Sequence, residues 1–465
     1  MPPQGKRILL RNIYHLALGN EAAERRRGGD LLIDGGVVAD MGEGLPRGDA
    51  EVIDASTKLV MPGLVNTHHH MYQTLQRNIP AVQNAELFDW LITLYEIWRH
   101  LSPEAVRAST LLACAELVKT GCTTTMDHHY VFPRGVSEDL IGAQFEAASQ
   151  VGIRFCATRG SMSRGKSAGG LPPDSVVQDE ETILASSEQL IASYHDPAPF
   201  AMRRLALAPC SPFSVSEELM RQSAELARRA GVRLHTHLAE TRDEETYCLE
   251  HYGCRPLALM ERLGWVGPDV WFAHGIHFND DELRLLAETR TGVAHCPTSN
   301  MRLGSGIARV PEMLARRIPL GLAVDGSASN DSSDMLGELR SCLLLHRVLG
   351  GAAAITADQV LGIATRGGAA LLGWPEIGSL ELGQAADLVM VEMDRLDYAG
   401  ALSDPLAAVI FSGICHQVHT VIINGQIVLA DGVLAGIDEE DLRCEANHHA
   451  RTMMELAGHD TTWML

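Results

Sequence analysis

The chain has 465 residues, 46% hydrophobic and 21% charged, a composition that can bury a sizeable core and excludes a disordered or fibrous protein. Lys and Arg number 38 against 59 Asp and Glu, and the net charge of −21 repels phosphate backbones and anionic lipid headgroups, so neither a nucleic-acid polymer nor a membrane is expected as partner. Arg11 interrupts what would be the apolar stretch of a signal peptide, and ten cysteines are scattered without a CxxC pair. The chain is therefore expected in the cytoplasm with reduced thiols.

In chain order, residues 6–60 predict short strands at 8–10, 30–40 and 51–54, with Gly35-Gly36 as a hairpin signal. From about residue 63 to about 375, short apolar runs alternate with longer helical stretches. The runs fall at 121–126, 153–157, 205–208, 232–235, 270–273, 292–294 and 320–324, and stretches such as 103–120 and 216–230 carry apolar residues at three- and four-residue spacing. Strand, helix, strand in repetition specifies a parallel sheet. About eight such units predict an α/β fold built as a (β/α)₈ TIM barrel. An open doubly wound sheet is the alternative, with no GxGxxG after the first strand to support it. Strand texture returns at 387–392 and 418–429, where Asn424-Gly425 is a second hairpin turn. The expected organisation is a small β-sandwich domain of residues 1–62 and 376–465, built from both chain ends, around a catalytic barrel of residues 63–375. The Gly/Ser/Arg-rich stretch 159–170 is the candidate mobile loop over a site.

Polar residues stand at the C-terminal ends of these runs, where a barrel presents its active site. Strand periodicity after Val65 sends His68 and His70 to one face and His69 to the other, so the outer pair can share a metal. His235-Thr236-His237 with Glu240 closes a later strand, followed by His274, His277, His295 and Asp325. A single strand-end histidine is more often structural than a ligand, but separate accidents do not explain the whole set. Neutral imidazoles with one carboxylate suit zinc, iron, manganese or cobalt rather than magnesium or calcium. Such an ion lowers the pKa of a bound water toward neutrality, which makes a hydrolytic nucleophile.

Pro62-Gly63 through His70, His237-Leu238-Ala239-Glu240-Thr241, Ala273-His274, His295 through Gly304 and Val324-Asp325 through Asn330 resemble, in order, the signatures of the amidohydrolase superfamily. Within it they are similar to the mononuclear deaminase and chlorohydrolase branch, which includes guanine deaminase, S-adenosylhomocysteine deaminase and the triazine hydrolases. The resemblance covers essentially the whole chain. It implies a distorted barrel with a terminal β-sandwich, a divalent metal ion, zinc or iron, held by His68, His70, His237 and Asp325, and a homo-oligomer. Binuclear relatives place a carboxylated lysine or a glutamate at the end of the fourth strand, where this chain has Ala208-Pro209-Cys210, so one ion per chain is implied. In the implied chemistry Glu240 protonates a ring nitrogen, Asp325 carries the water's proton to the departing ammonia, and His274 holds the water or a substrate oxygen.

For the substrate, the Gln73 amide can donate to and accept from the planar amide edge of a purine or pyrimidine. Trp90 can stack on such a ring, although a tryptophan in an apolar helix is commonly core, and Cys210 is read as pocket-lining. Asp127 through Tyr130, and 159–165, are expected to add donors above the site, with His128 and His129 open between site and structural roles. With the first motif these stretches resemble the 8-oxoguanine deaminases, which convert 8-oxoguanine to urate and ammonia. The expected function is metal-dependent hydrolytic deamination of an aminopurine-type heterocycle, a small-molecule substrate; other purine or pyrimidine deaminases and triazine-type hydrolases are the alternatives. A metal-free scaffold would show eroded ligands, and all of them are present.

Overall fold

The structure is a computed structural model that describes residues 6–136, 139–412, 417–462 and 464. Eight parallel strands close into a barrel in chain order: β1 (Leu64–Asn66), β2 (Cys122–Asp127), β3 (Arg154–Ser161), β4 (Arg203–Pro209), β5 (Leu234–Leu238), β6 (Val270–His274), β7 (Gly292–His295) and β8 (Leu320–Leu322). The Leu322–Asn66 pair closes the ring, which excludes the open doubly wound sheet.

Alternation along each strand builds two layers. Val65, Met126, Cys156, Ala206, Trp271 and Ala294 pack together inside the barrel. Their neighbours Leu64, Phe155, Leu205, Leu234, Phe272 and Val293 join the core between strands and helices. The helices form for local reasons. Glu217–Ala230 starts at Ser216, whose hydroxyl accepts from Leu219 N at 3.0 Å; it carries Glu217 and Glu218 in its first turn and Arg228 and Arg229 in its last, and it ends at Gly231 in the left-handed conformation. It buries Leu219, Met220, Leu226 and Ala227 against the strands; truncating the fully buried Leu219 to Ala should cost about 2–5 kcal/mol.

Strands from both chain ends make two further sheets. One, of four strands, runs Val37–Gly42, Asp30–Asp34, Ile8–Arg11, Glu51–Asp54; the other, of seven, joins Lys58–Pro62 antiparallel to Leu388–Glu392 at its centre. Ile8, Leu10, Leu31 and Ile33 of the first pack with Val60, Leu388, Met390 and Ile422 of the second in one core, a sandwich. Lys58–Pro62 runs straight into β1 through Gly63, where a Cβ would strike the Thr123 side chain. The buried pair of Arg154 in β3 and Asp387, 3.1 Å apart, ties the barrel to the seven-stranded sheet. The chain end also forms the helix Glu439–Leu456, not read from the sequence, which packs on the helix Pro103–Lys119.

Among the described residues no helix is long and apolar enough to cross a membrane. Nine cysteines are free thiols; Cys415 lies outside the described residues.

Candidate metal centre

The strand ends deliver the site. His68 and His70 follow β1, His237 lies in β5, His274 ends β6 and Asp325 follows β8. Ala239, His274 and Asp325 adopt left-handed conformations (φ 53°, 71° and 65°), local strain of order 1–3 kcal/mol each that turns the chain at the barrel mouth.

Hydrogen bonds fix which nitrogen each ring presents. His70 Nδ1 donates to the carbonyl of His128 at 2.8 Å and His237 Nδ1 to that of Cys210 at 2.7 Å, so both rings offer a bare Nε2, and these two atoms face each other at 3.1 Å. His235 Nδ1 donates to the Trp271 carbonyl at 2.9 Å; its Nε2 therefore accepts from His68 Nδ1 at 2.7 Å. That leaves His68 Nε2, buried without a hydrogen bond, as a third bare nitrogen. Asp325 Oδ1 lies 3.3 Å from His68 Nε2 and 3.4 Å from His70 Nε2. Burial pushes the pKa of all three imidazoles down, His68 and His237 well below the usual histidine value, so protons do not relieve the crowding of lone pairs. A divalent cation does, and three imidazole nitrogens with one carboxylate oxygen are a donor set that fits zinc. His128 is part of the same histidine group, with its Nε2 held by the Ala208 carbonyl at 2.8 Å.

Around these atoms lie groups that handle protons. The Ser299 hydroxyl donates to Asp325 Oδ2 at 2.6 Å and the Gly326 amide to Oδ1 at 2.7 Å. His274 Nδ1 donates to Asn300 Oδ1 at 3.0 Å, which turns its Nε2 toward Glu240 Oε2 at 3.6 Å and Asp325 Oδ2 at 3.9 Å. Burial opposes a charge on His274, but the two carboxylates and the Asn300 bond outweigh it and raise the pKa. Burial pushes the Glu240 carboxyl up to about 7, within range for a proton donor at neutral pH. Glu244 clamps the turn that carries Glu240, accepting from the Ala239 and Glu240 amides at 3.0 and 2.9 Å.

Above the floor lies a small cavity with Gln73, Trp90, Cys210, Phe213 and Leu303 in its walls. Both heteroatoms of the Gln73 amide are buried without a partner, as is Trp90 Nε1. The amide lies against Gly326, where a Cβ would collide with it. The Cys210 sulfur is 4.0 Å from His237 Nδ1; burial holds its thiol up to about 12, so it lines the wall in the neutral form.

Residues 59–428 match the amidohydrolase family. The chain belongs to it. Over 433 residues it is 49% identical to the 8-oxoguanine deaminase of Pseudomonas aeruginosa, covering 93% of this chain and 95% of that one. Over 449 residues it is 36% identical to the hydroxydechloroatrazine ethylaminohydrolase of a Pseudomonas species, 93% of each chain. The solved atrazine chlorohydrolase of Arthrobacter aurescens, complexed with zinc, superposes with a TM-score of 0.91 at 32% identity, over 95% of this chain and 100% of that one.

Not every polar group expected near the mouth of this amidohydrolase is there. The Arg159 guanidinium lies 3.9 Å over the Phe132 ring and bonds to Ser186 and Gln178, on the helix side of β3, so it adds no donor above the site. His129 packs edge-on against Phe132 and Tyr72, and His277 bonds to the Ser305 carbonyl. Conversely His235, Glu244, Asn300 and Ser299 take part in the site without an individual role expected from the sequence, although His235 belongs to the second His-x-His and Ser299 and Asn300 to the stretch from His295 to Gly304. His235 had a signal: two residues before His237 in one strand, its ring must also enter the barrel. Glu244 and Asn300 had none that separates them from ordinary polar residues.

Proposed function

We propose that this amidohydrolase is a metal-dependent aminohydrolase that converts 8-oxoguanine to urate and ammonia. The observation that carries this reading is the pair of unpartnered Gln73 amide atoms in the wall of a small cavity whose floor gathers three bare imidazole nitrogens and two carboxylates. The 49% identity to an 8-oxoguanine deaminase supports the choice of ring.

His68, His70, His237 and Asp325 would hold one catalytic divalent ion, zinc ahead of iron because of the nitrogen-rich donor set and the zinc carried by a structural relative. When bound, that ion supplies a water activated for attack on the amino-bearing ring carbon. Glu240, whose carboxyl burial pushes up to about 7, gives its proton to the adjacent ring nitrogen. Asp325 accepts the water's proton and passes it to the departing ammonia, held in place meanwhile by the Ser299 hydroxyl. His274, oriented through Asn300, hydrogen-bonds the attacking water or a substrate oxygen. Water adds, ammonia leaves, and a C–N bond is replaced by C=O as the remaining hydroxyl proton returns to Glu240. Gln73 pairs with the amide edge of the ring, Trp90 stacks on it, and the neutral Cys210 thiol fills the wall.

The acting unit we propose is a homo-oligomer of chains, each with a catalytic barrel of residues 63–375 and a sandwich of residues 1–62 and 376–465. We place it in the cytoplasm, a compartment that suits the nine free thiols.

The test is ammonia release by metal-analysed protein from 8-oxoguanine, guanine, isocytosine, adenine and S-adenosylhomocysteine, with urate absorbance followed for the first. Release from 8-oxoguanine, with KM raised in Gln73→Leu, supports the reading. Release only from another ring keeps the hydrolase and overturns the substrate. No ammonia from any of these rings, with chloride or alkylamine released from chloro- or alkylamino-triazines, favours the second reading, a triazine-type hydrolase, which rests on the 36% identical relative.

A further inference from the structure

A second group of metal-ligating side chains is buried in the barrel wall, outside the cavity. His295 ends β7 with its ring on the helix side, because Ala294 before it packs inside the barrel. The helix Met335–Gly350 presents Cys342 and His346 to it, four residues apart and therefore on one face. One ligating atom from each of the three lies within 4.8 Å of the others, and all three residues are buried, at most 1% exposed.

Hydrogen bonding between the rings satisfies only part of the group. His295 Nε2 and His346 Nε2 are 3.1 Å apart, so one neutral ring can donate to the other, yet Nδ1 of each ring is buried without a partner. An ion-free pair thus leaves one N–H and one lone pair unmet, and ligation through both Nε2 atoms would leave two Nδ1–H groups, so it is the spacing and the donor set that argue for an ion. The spacing itself suits a metal: two nitrogens each 2.0–2.1 Å from a tetrahedral zinc are roughly 3.3–3.4 Å apart. Ligands four residues apart on a helix are also a recurrent way of supplying two donors to one ion.

We propose that His295, Cys342 and His346 form a site for a second, non-catalytic transition-metal ion that pins β7 to the helix Met335–Gly350. Two imidazoles and a thiolate select a borderline or soft ion such as zinc or cobalt over magnesium and calcium. Binding releases the Cys342 thiol proton to solvent and leaves the ion and its ligands with a single positive charge. None of the three side chains lines the cavity, so the site stands apart from the substrate reading.

Cobalt provides the probe. Protein stripped of metal and reloaded with Co²⁺ should bind two equivalents per chain and show a near-ultraviolet thiolate-to-cobalt charge-transfer band. Cys342→Ser should abolish the band and lower the count from two to one; His346→Gln should lower the count in the same way, and both variants should keep the wild-type rate of ammonia release. The wild-type spectrum needs no variant to fold. One cobalt per chain without a band overturns the site, and so does a band that survives Cys342→Ser but is lost in Cys210→Ser. Two equivalents and the band without ammonia release from any ring would uphold this site while overturning the proposed function.

Discussion

The mouth and the wall of the barrel each bring two imidazoles Nε2 to Nε2 at 3.1 Å, by different means. At the mouth the Nδ1 of each of the three bare-Nε2 rings has an acceptor: carbonyls behind His70 and His237, and behind His68 the ring of His235, itself fixed by the Trp271 carbonyl. In the wall the two rings hold only each other. The difference is pre-organisation. Lone pairs aimed by partners outside the ligand set need no reorientation when an ion arrives, so the mouth should hold its ion more tightly and give it up to a chelator later.

The sharpest break of this comparison is His237→Ala, which removes a proposed mouth ligand. Metal affinity at the mouth should fall by more than about 100-fold and ammonia release should vanish, while the wall keeps its cobalt band. Next in size is Glu240→Gln, which spares the ligands and removes the proton. Turnover should fall by about 10²–10⁴-fold at full metal content. In the proposed mechanism the acid form of Glu240 is the active one, and burial pushes its carboxyl up to about 7, so wild-type kcat/KM should decline as pH rises through 7, and that limb should be absent from the residual activity of the variant. Unchanged turnover in a metal-replete Glu240→Gln enzyme would exclude this role.

His235→Phe converts one mouth ligand to the unsupported kind found in the wall. Metal affinity should drop by about 10–100-fold with less effect on turnover at saturating metal; an unchanged affinity would mean that backing does not distinguish the two regions. The smallest effect concerns the wall without its ion. Burial holds the Glu338 carboxyl up to about 8 against an ordinary 4.5, so the folded state binds this proton more tightly than the unfolded one. Its contribution is full below pH 4.5 and lost as pH rises to about 8. Metal-free wild type should therefore lose more stability between pH 5 and 8.5 than Glu338→Gln, as read from urea midpoints at both pH values.

Much of this was legible before any coordinates. The alternation of apolar runs and helical stretches carried the barrel, because a buried parallel strand reads as a short hydrophobic block. The strand-end histidines carried the neighbourhood of the metal centre, because period-two alternation and the polarity of a barrel put them at one mouth. The strand His15–Ala17 was not legible: at three residues it is too short to show alternation. The helix Glu439–Leu456 was hidden by the strand texture before it, although Asp438 and the acids of its first turn are a start signal. Arg159 shows the opposite error, a donor assigned by proximity in sequence that alternation sends to the far side of its strand.

The sequence by itself determined the barrel, the pairing of chain ends into β structure and the strand-end histidines and carboxylates that meet at the mouth, since these follow from periodicities of two and 3.6 residues and from side-chain chemistry. Only the tertiary structure decided what each histidine does. His235 and His237 share a strand, a face and a pattern, yet one sits a layer deeper and backs His68 while the other turns its bare nitrogen to the site. Depth in the barrel is set by the stagger of eight strands, and hydrogen-bond partners by residues from 26 to 167 positions away, and neither is written in local sequence.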